Sequence, residues 1–147
     1  MIIDINAYYG QWPYWPLRDH DEDAMLHQMD RLDIERAFIC SLRAVFVDVA
    51  AGNMEVMALC RRHPDRFSPA LTYHPFASPG AGYAQDCEAF EYKIIKLFPI
   101  ATLHSYDPLE EPFSDQLMIF CAERGIPVLV PYRLMLNWRL PTFDIKK

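Results

Sequence analysis

Asp4, Asn6 and Tyr8 stand two residues apart in the opening stretch Met1-Ile-Ile-Asp-Ile-Asn-Ala-Tyr-Tyr-Gly10. In an extended strand that spacing puts all three on one face. Polar groups at the end of an otherwise apolar strand are what a parallel barrel uses to line its site. Lys96 is the one charge in the apolar run Ile94-Ile-Lys-Leu-Phe98, and a lysine buried there is costly unless it is paired. Its type and setting leave three roles open: a structural ion pair with Asp4, an anchor for a ligand carboxylate, or an amine of depressed pKa. His74, between an apolar run and Pro75, is either a general acid–base group or a loop residue with its hydrogen bonds satisfied. His104 carries the same two readings. Arg43 and Arg133 each follow an apolar run and offer a guanidinium to an anionic ligand. His20, His27 and His63 read as surface residues, and Arg61 and Arg62 as a solvated helix end.

These groups need elements to hold them. Ile2 to Asn6 reads as a strand, followed by a loop in which two prolines and bulky aromatics between Tyr9 and Pro16 forbid helix. That loop either covers a core edge or forms one wall of a ligand pocket. Asp21 to Leu32 reads as a helix, with acidic residues in its first turn and Met25, Leu26, Met29 and Leu32 at helical spacing. Arg36 to Ser41 is a second strand, apolar on both faces as a covered parallel strand must be. Gly52 to Arg62 is a second helix, with Asn53 as its cap and Pro64 closing it. Phe67 to Tyr73 is a third strand, Tyr83 to Tyr92 a third helix and Lys93 to Phe98 a fourth strand. Ser114 to Arg124 is a helix capped by Ser114 and stopped by Gly125, and Ile126 to Val130 is a fifth strand.

Strand and helix therefore alternate throughout, the pattern of an α/β protein with a parallel sheet. Five strands and four helices are a little over half of a TIM (β/α)8 barrel, which takes about 250 residues. The chain of 147 residues reads as a single partial-barrel domain, truncated or completed by another chain, with a homo-oligomer expected.

Composition bounds the partners. Hydrophobic residues are 52% of the chain, charged residues 23%, and the net charge is −6. Scattered Lys and Arg give no basic face for nucleic acid or an anionic membrane. No apolar run reaches the ~18 residues of a spanning helix. The four cysteines form no CxxC pair and sit among apolar neighbours, which suits buried free thiols in a reducing cytosol. A cytoplasmic protein with a small-molecule ligand is the expectation.

With the elements placed, the chain resembles the amidohydrolase superfamily, in particular its amidohydrolase-related group of TIM-barrel metal-dependent hydrolases and decarboxylases. The opening Ile3-Asp-Ile-Asn-Ala-Tyr-Tyr-Gly10 is similar to that group's I-D-x-H-x-H-x-G. Four more segments carry the resemblance: Met29-Asp-Arg-Leu-Asp-Ile-Glu-Arg-Ala37; Gly52-Asn53 with Cys60-Arg-Arg-His-Pro-Asp-Arg-Phe67; Ile94-Ile-Lys-Leu-Phe-Pro99; and Glu123-Arg-Gly-Ile-Pro-Val-Leu-Val130. The resemblance implies the N-terminal half of such a barrel. It also implies a hydrolase or decarboxylase acting on a small carboxylate or amide. The family's divalent metal is held by two histidines ending the first strand, one ending the fifth and a late aspartate. The matching positions here are Asn6, Tyr8 and Pro131, so no metal cofactor is expected. Asp4, Asn6, His74 and Lys96 are the candidate catalytic groups, and Tyr8, Arg43 and Arg133 the candidate ligand contacts. The alternative is a non-catalytic barrel that binds a small anionic ligand or serves in an assembly.

Overall fold

The apolar runs and their caps produce a parallel five-stranded sheet in the order β1-β2-β3-β4-β5. The computed structural model describes residues 1–13, 16–18, 20–74, 92–98 and 112–130. The strands are β1 (Ile2–Tyr9), β2 (Ile34–Ser41), β3 (Phe67–Tyr73), β4 (Ile94–Leu97) and β5 (Val128–Leu129). The helices are α1 (Glu22–Arg31), α2 (Leu42–Phe46), α3 (Val49–Arg62) and α4 (Pro112–Arg124). The alternation expected from sequence is present, and every strand pair is parallel. The expected helix over Tyr83–Tyr92 lies outside the described residues, apart from Tyr92 itself.

Three local readings are corrected. α3 begins at Val49 with Asp48 as its cap, whose carboxylate accepts from Ala51 N at 2.9 Å. Asn53 is therefore inside the helix and free for another task. α4 begins at Pro112, a residue suited to a first helical turn, so Ser114 is not its cap. The short helix α2 was not expected from the sequence. Its five residues follow β2 directly, with Ser41 Oγ accepting from Arg43 N at 3.0 Å as the cap.

Side chains alternate between two sides of the sheet. On the helix side, Ala37, Ile39 and Phe67 pack with Met29 of α1 and Val56, Leu59 and Cys60 of α3. Farther along, Leu71, Tyr73, Ile95 and Leu97 pack with Leu117, Phe120 and Cys121 of α4. The other side holds Cys40, Ala70, Ile94 and Phe98, with Tyr8, Phe38 and Leu129 packed against them. Cys40, Cys60 and Cys121 are free and buried, as expected.

The sheet is curled about this second side. In a flat sheet β1 and β4 would lie roughly 14 Å apart, three strand spacings, beyond the reach of a lysine side chain. Lys96 of β4 nevertheless donates to the carbonyl of Ala7 in β1 at 3.1 Å. The rings of Tyr8 and Phe98 also meet across the same interval, with centroids 6.4 Å apart. The interior of a partial barrel lies between them.

The Gly52-Asn53 pair explains how α3 is held. A Cβ on Gly52 would lie 2.2 Å from Ala44 N, so only glycine permits this approach of α3 to α2. Asn53 is buried; its Nδ2 donates to Thr72 O at 2.9 Å and its Oδ1 accepts from Thr72 N at 3.1 Å. β2 pairs with β3 only as far as Ile39 and Pro69, and the Asn53 amide then serves as β3's partner beyond that point. At the other end of α3, Glu22 of α1 accepts from Arg62 Nε at 3.1 Å and pairs with His63, while Arg66 Nη2 donates to Asp30 at 2.7 Å.

Candidate functional site

Four side chains of distinct chemistry occupy equivalent places on their strands. Tyr8, Cys40, Thr72 and Lys96 are each the penultimate residue of β1, β2, β3 and β4. The register sets Tyr8 opposite Cys40 and Thr72 opposite Lys96. All four belong to the interior side, at the C-terminal ends of the strands, where barrels of this kind place their sites.

Lys96 is the centre of the group. It is 0% exposed, donates to Ala7 O, and lies with its Nζ 4.9 Å from the centroid of the Tyr8 ring. Removal from water pushes its pKa below the ordinary 10.5, although Cys40 and Asp4 act in the opposite direction. Cys40 Sγ points at the same Ala7 oxygen, 3.9 Å away, and burial raises its pKa while Lys96 opposes the rise. Tyr8 is pushed up to about 12, by burial first and then by Cys40 and Asp4, so its phenol is neutral at ordinary pH. The Thr72 hydroxyl is turned toward Cys40 and has no hydrogen-bond partner of good geometry.

Asp4 does not share the face of Tyr8. It stands opposite Ala37, whereas Ala7 stands opposite Ile39, so three steps along β1 match two along β2. That extra residue reverses the alternation before Tyr8. Asp4 Oδ1 accepts from Asn6 N at 2.8 Å, inside the irregular stretch, and Asn6 is exposed. Among the described residues Asp4 and Lys96 form no ion pair, and the lysine takes a carbonyl partner instead.

Of the remaining predicted residues, Arg43 and His74 lie elsewhere on the same end of the sheet. Arg43 is exposed in the first turn of α2. His74 directly follows β3 and lines a cleft of about 410 Å³ whose other walls include Val45, Phe46 and Asp48. Trp12 of the aromatic loop packs edge-on against Phe46, with centroids 5.2 Å apart, so the loop buttresses a wall of that cleft. Arg133, Pro131 and His104 lie outside the described residues. Sequence reasoning passed over Cys40 and Thr72. Cys40 reads from sequence as a buried core thiol and Thr72 carries no signal of its own, and only the register shows both beside Lys96.

Solved structures with the same arrangement decide the fold. An amidohydrolase II superimposes with a TM-score of 0.68 at 15% identity, covering 93% of this chain and 53% of that one. The fold is a partial (β/α) barrel, the part of the barrel that those structures share with this chain. The 4-oxalomesaconate hydratase of Rhodopseudomonas palustris matches with a TM-score of 0.63 at 16% identity, over 88% of this chain and 52% of that one. The 5-carboxyvanillate decarboxylase of Novosphingobium aromaticivorans, solved with manganese and 3-methoxy-4-hydroxy-5-nitrobenzoic acid, matches with a TM-score of 0.57 at 18% identity, over 72% and 33%. The chain thus spans about half the length of the first two amidohydrolase-fold structures. No protein-family model and no curated protein matches the sequence. No helix among the described residues is long and apolar enough to cross a membrane.

Proposed function

We propose that this chain forms the N-terminal half of an amidohydrolase-fold barrel that acts on a small carboxylate or amide as a hydrolase or decarboxylase. Lys96 carries the reading: a fully buried amine at the C-terminal end of β4, on the interior side, with no carboxylate partner among the described residues. A nitrogen so placed gains a partner when an anionic group enters. Tyr8 borders it from β1, and Asn6, exposed on the same strand, offers a second hydrogen-bonding group. Arg43 supplies positive charge at the rim, and His74 moves a proton from its place on the cleft wall. Asp4, tied to the backbone of Asn6, sets the shape of the β1 end.

The family's divalent metal does not fit these residues. Asn6 is an exposed amide, the Tyr8 phenol is held neutral, and an amine occupies the space beside its ring. Zinc prefers imidazole, thiolate or carboxylate, and no three His, Cys, Asp or Glu side chains converge among the described residues.

Thermal shift with a panel of small carboxylates and amides tests it. A carboxylate that raises the Tm of the wild type, and leaves Lys96→Met unmoved, is the expected result. Equal shifts in both proteins would remove Lys96 from the site. Turnover of the stabilising compound separates an enzyme from a barrel that only binds.

A further inference from the structure

The interior side holds an arrangement that carboxylate binding alone does not use. Lys96 is walled by the Tyr8 ring and by the cluster that contains Cys40, Ile94 and Phe98. Thr72, opposite it in register, is 2% exposed, and its buried hydroxyl is turned toward Cys40 without a hydrogen bond of good geometry. A buried amine flanked by apolar walls, with a loosely held hydroxyl alongside, matches the requirements of a nucleophilic lysine. The amine donates one N–H to Ala7 O, which orients the nitrogen without consuming its lone pair.

From this geometry we infer that Lys96 forms an imine with the carbonyl of a small oxo acid, with Thr72 as the neighbouring proton carrier. The inference rests on the reading of this mouth as a small-carboxylate site, and adds a carbonyl to the ligand. Burial supports it by favouring the unprotonated amine at a lower pH than an exposed lysine allows. The nitrogen lone pair attacks the carbonyl carbon, and the carbonyl π pair moves onto oxygen. That oxygen takes a proton through the Thr72 hydroxyl while the nitrogen releases one, giving a carbinolamine. A second proton transfer expels the oxygen as water and leaves the carbon–nitrogen double bond. Ketone and amine go to imine and water, with no oxidant or reductant required. Access passes Tyr8, whose partly exposed ring lies over the nitrogen and must swing aside.

Reductive trapping of the whole chain with pyruvate and sodium borohydride tests the step, because borohydride converts an imine into a stable secondary amine. Peptide mass spectrometry is expected to place the adduct on Lys96, and Lys96→Arg is expected to abolish it. Tyr8→Ala is expected to raise the trapping rate several-fold, and Thr72→Val to lower it several-fold at unchanged Tm. Adducts spread over Lys93, Lys146 and Lys147 with none on Lys96 would overturn the inference. Parallel thermal shifts with pyruvate and with lactate, which lacks the ketone, separate the two readings. If both ligands stabilise the wild type through Lys96 and no adduct forms, the carboxylate site stands and the imine falls. If neither stabilises it and no adduct forms, both fall.

Discussion

Lys96 and Ala7 join the two ends of a curled sheet: a side chain rooted on β4 donates to a backbone carbonyl of β1 at 3.1 Å. The bond ties the curvature of the sheet to the setting of the amine. It satisfies one buried donor with a neutral acceptor, a far weaker compensation for burial than a carboxylate gives. Lys96 is thus held in place without being fully stabilised as a cation, the condition in which an amine is useful to chemistry.

Substituting Lys96 separates volume from charge. Lys96→Ala opens a cavity and is expected to cost about 2–4 kcal/mol, the range of large-to-small changes in a core. Lys96→Met fills most of the space and removes the buried amine, at an expected cost within about 1 kcal/mol of zero. The sign of the pH dependence follows from the folded pKa lying below the ordinary 10.5. Between those two values the unfolded chain binds more protons, so stability rises with pH, and the penalty is fully present below the folded value. The urea midpoint of the wild type should therefore climb relative to that of Lys96→Met as pH approaches 10.5. A constant gap would mean that the amine is not desolvated.

Asn53 replaces a strand partner, and its loss leaves two buried backbone groups of Thr72 unmatched. Asn53→Ala is expected to destabilise by about 2–4 kcal/mol, from the usual cost of unsatisfied buried groups. Asn53→Asp keeps the acceptor for Thr72 N but turns a carboxylate toward Thr72 O, so its urea midpoint should fall further than that of Asn53→Ala. Gly52→Ala should fail to yield soluble protein, because the new methyl would meet the backbone of Ala44 at 2.2 Å.

This pair also shows what could be read in advance. The alternation of strands and helices is legible because apolar periodicity is a local property, whereas the caps expected at Asn53 and Ser114 lie inside their helices. Gly52-Asn53 was visible as a motif, but its work depends on Ala44 and Thr72, which only the fold brings near. The face shared by Asp4, Asn6 and Tyr8 failed for a related reason. A strand's alternation assumes regular pairing, and the extra residue between Asp4 and Ala7 is fixed by β2, not by β1 alone. Lys96 stood out as a charge in an apolar run, while its partner is a carbonyl that no side-chain pattern can reveal.

Glu22 clips α1 to the end of α3 through Arg62 and His63, and those two hydrogen bonds hold its carboxyl at about 2, below the ordinary 4.5. A depressed carboxyl stabilises the fold above its unfolded pKa and loses that contribution as pH falls through the folded value. The stability difference between wild type and Glu22→Gln should fade as pH falls from 4.5 towards 2. Denaturant titrations across that range read it directly. A gap that widens on acidification would contradict the clip.

β1 is an edge strand of the sheet and is apolar along much of its length, with Ile2, Ile3 and Ile5 exposed by 52%, 42% and 52%. Soluble proteins normally blunt such an edge with lysine, proline, a bulge or a short strand, and β1 has neither lysine nor proline along its eight residues. Its two register shifts, between Ile2 and Ile3 and between Asp4 and Ala7, leave Ile3 and Ile5 exposed along the edge. The purified chain is therefore expected to self-associate, with a mass by light scattering above the 17.2 kDa of one copy. Ile3→Lys with Ile5→Lys places charge along the edge and should return the mass to that of one copy, at little change in urea midpoint because both side chains are already exposed. An association that survives both lysines would belong to a different surface.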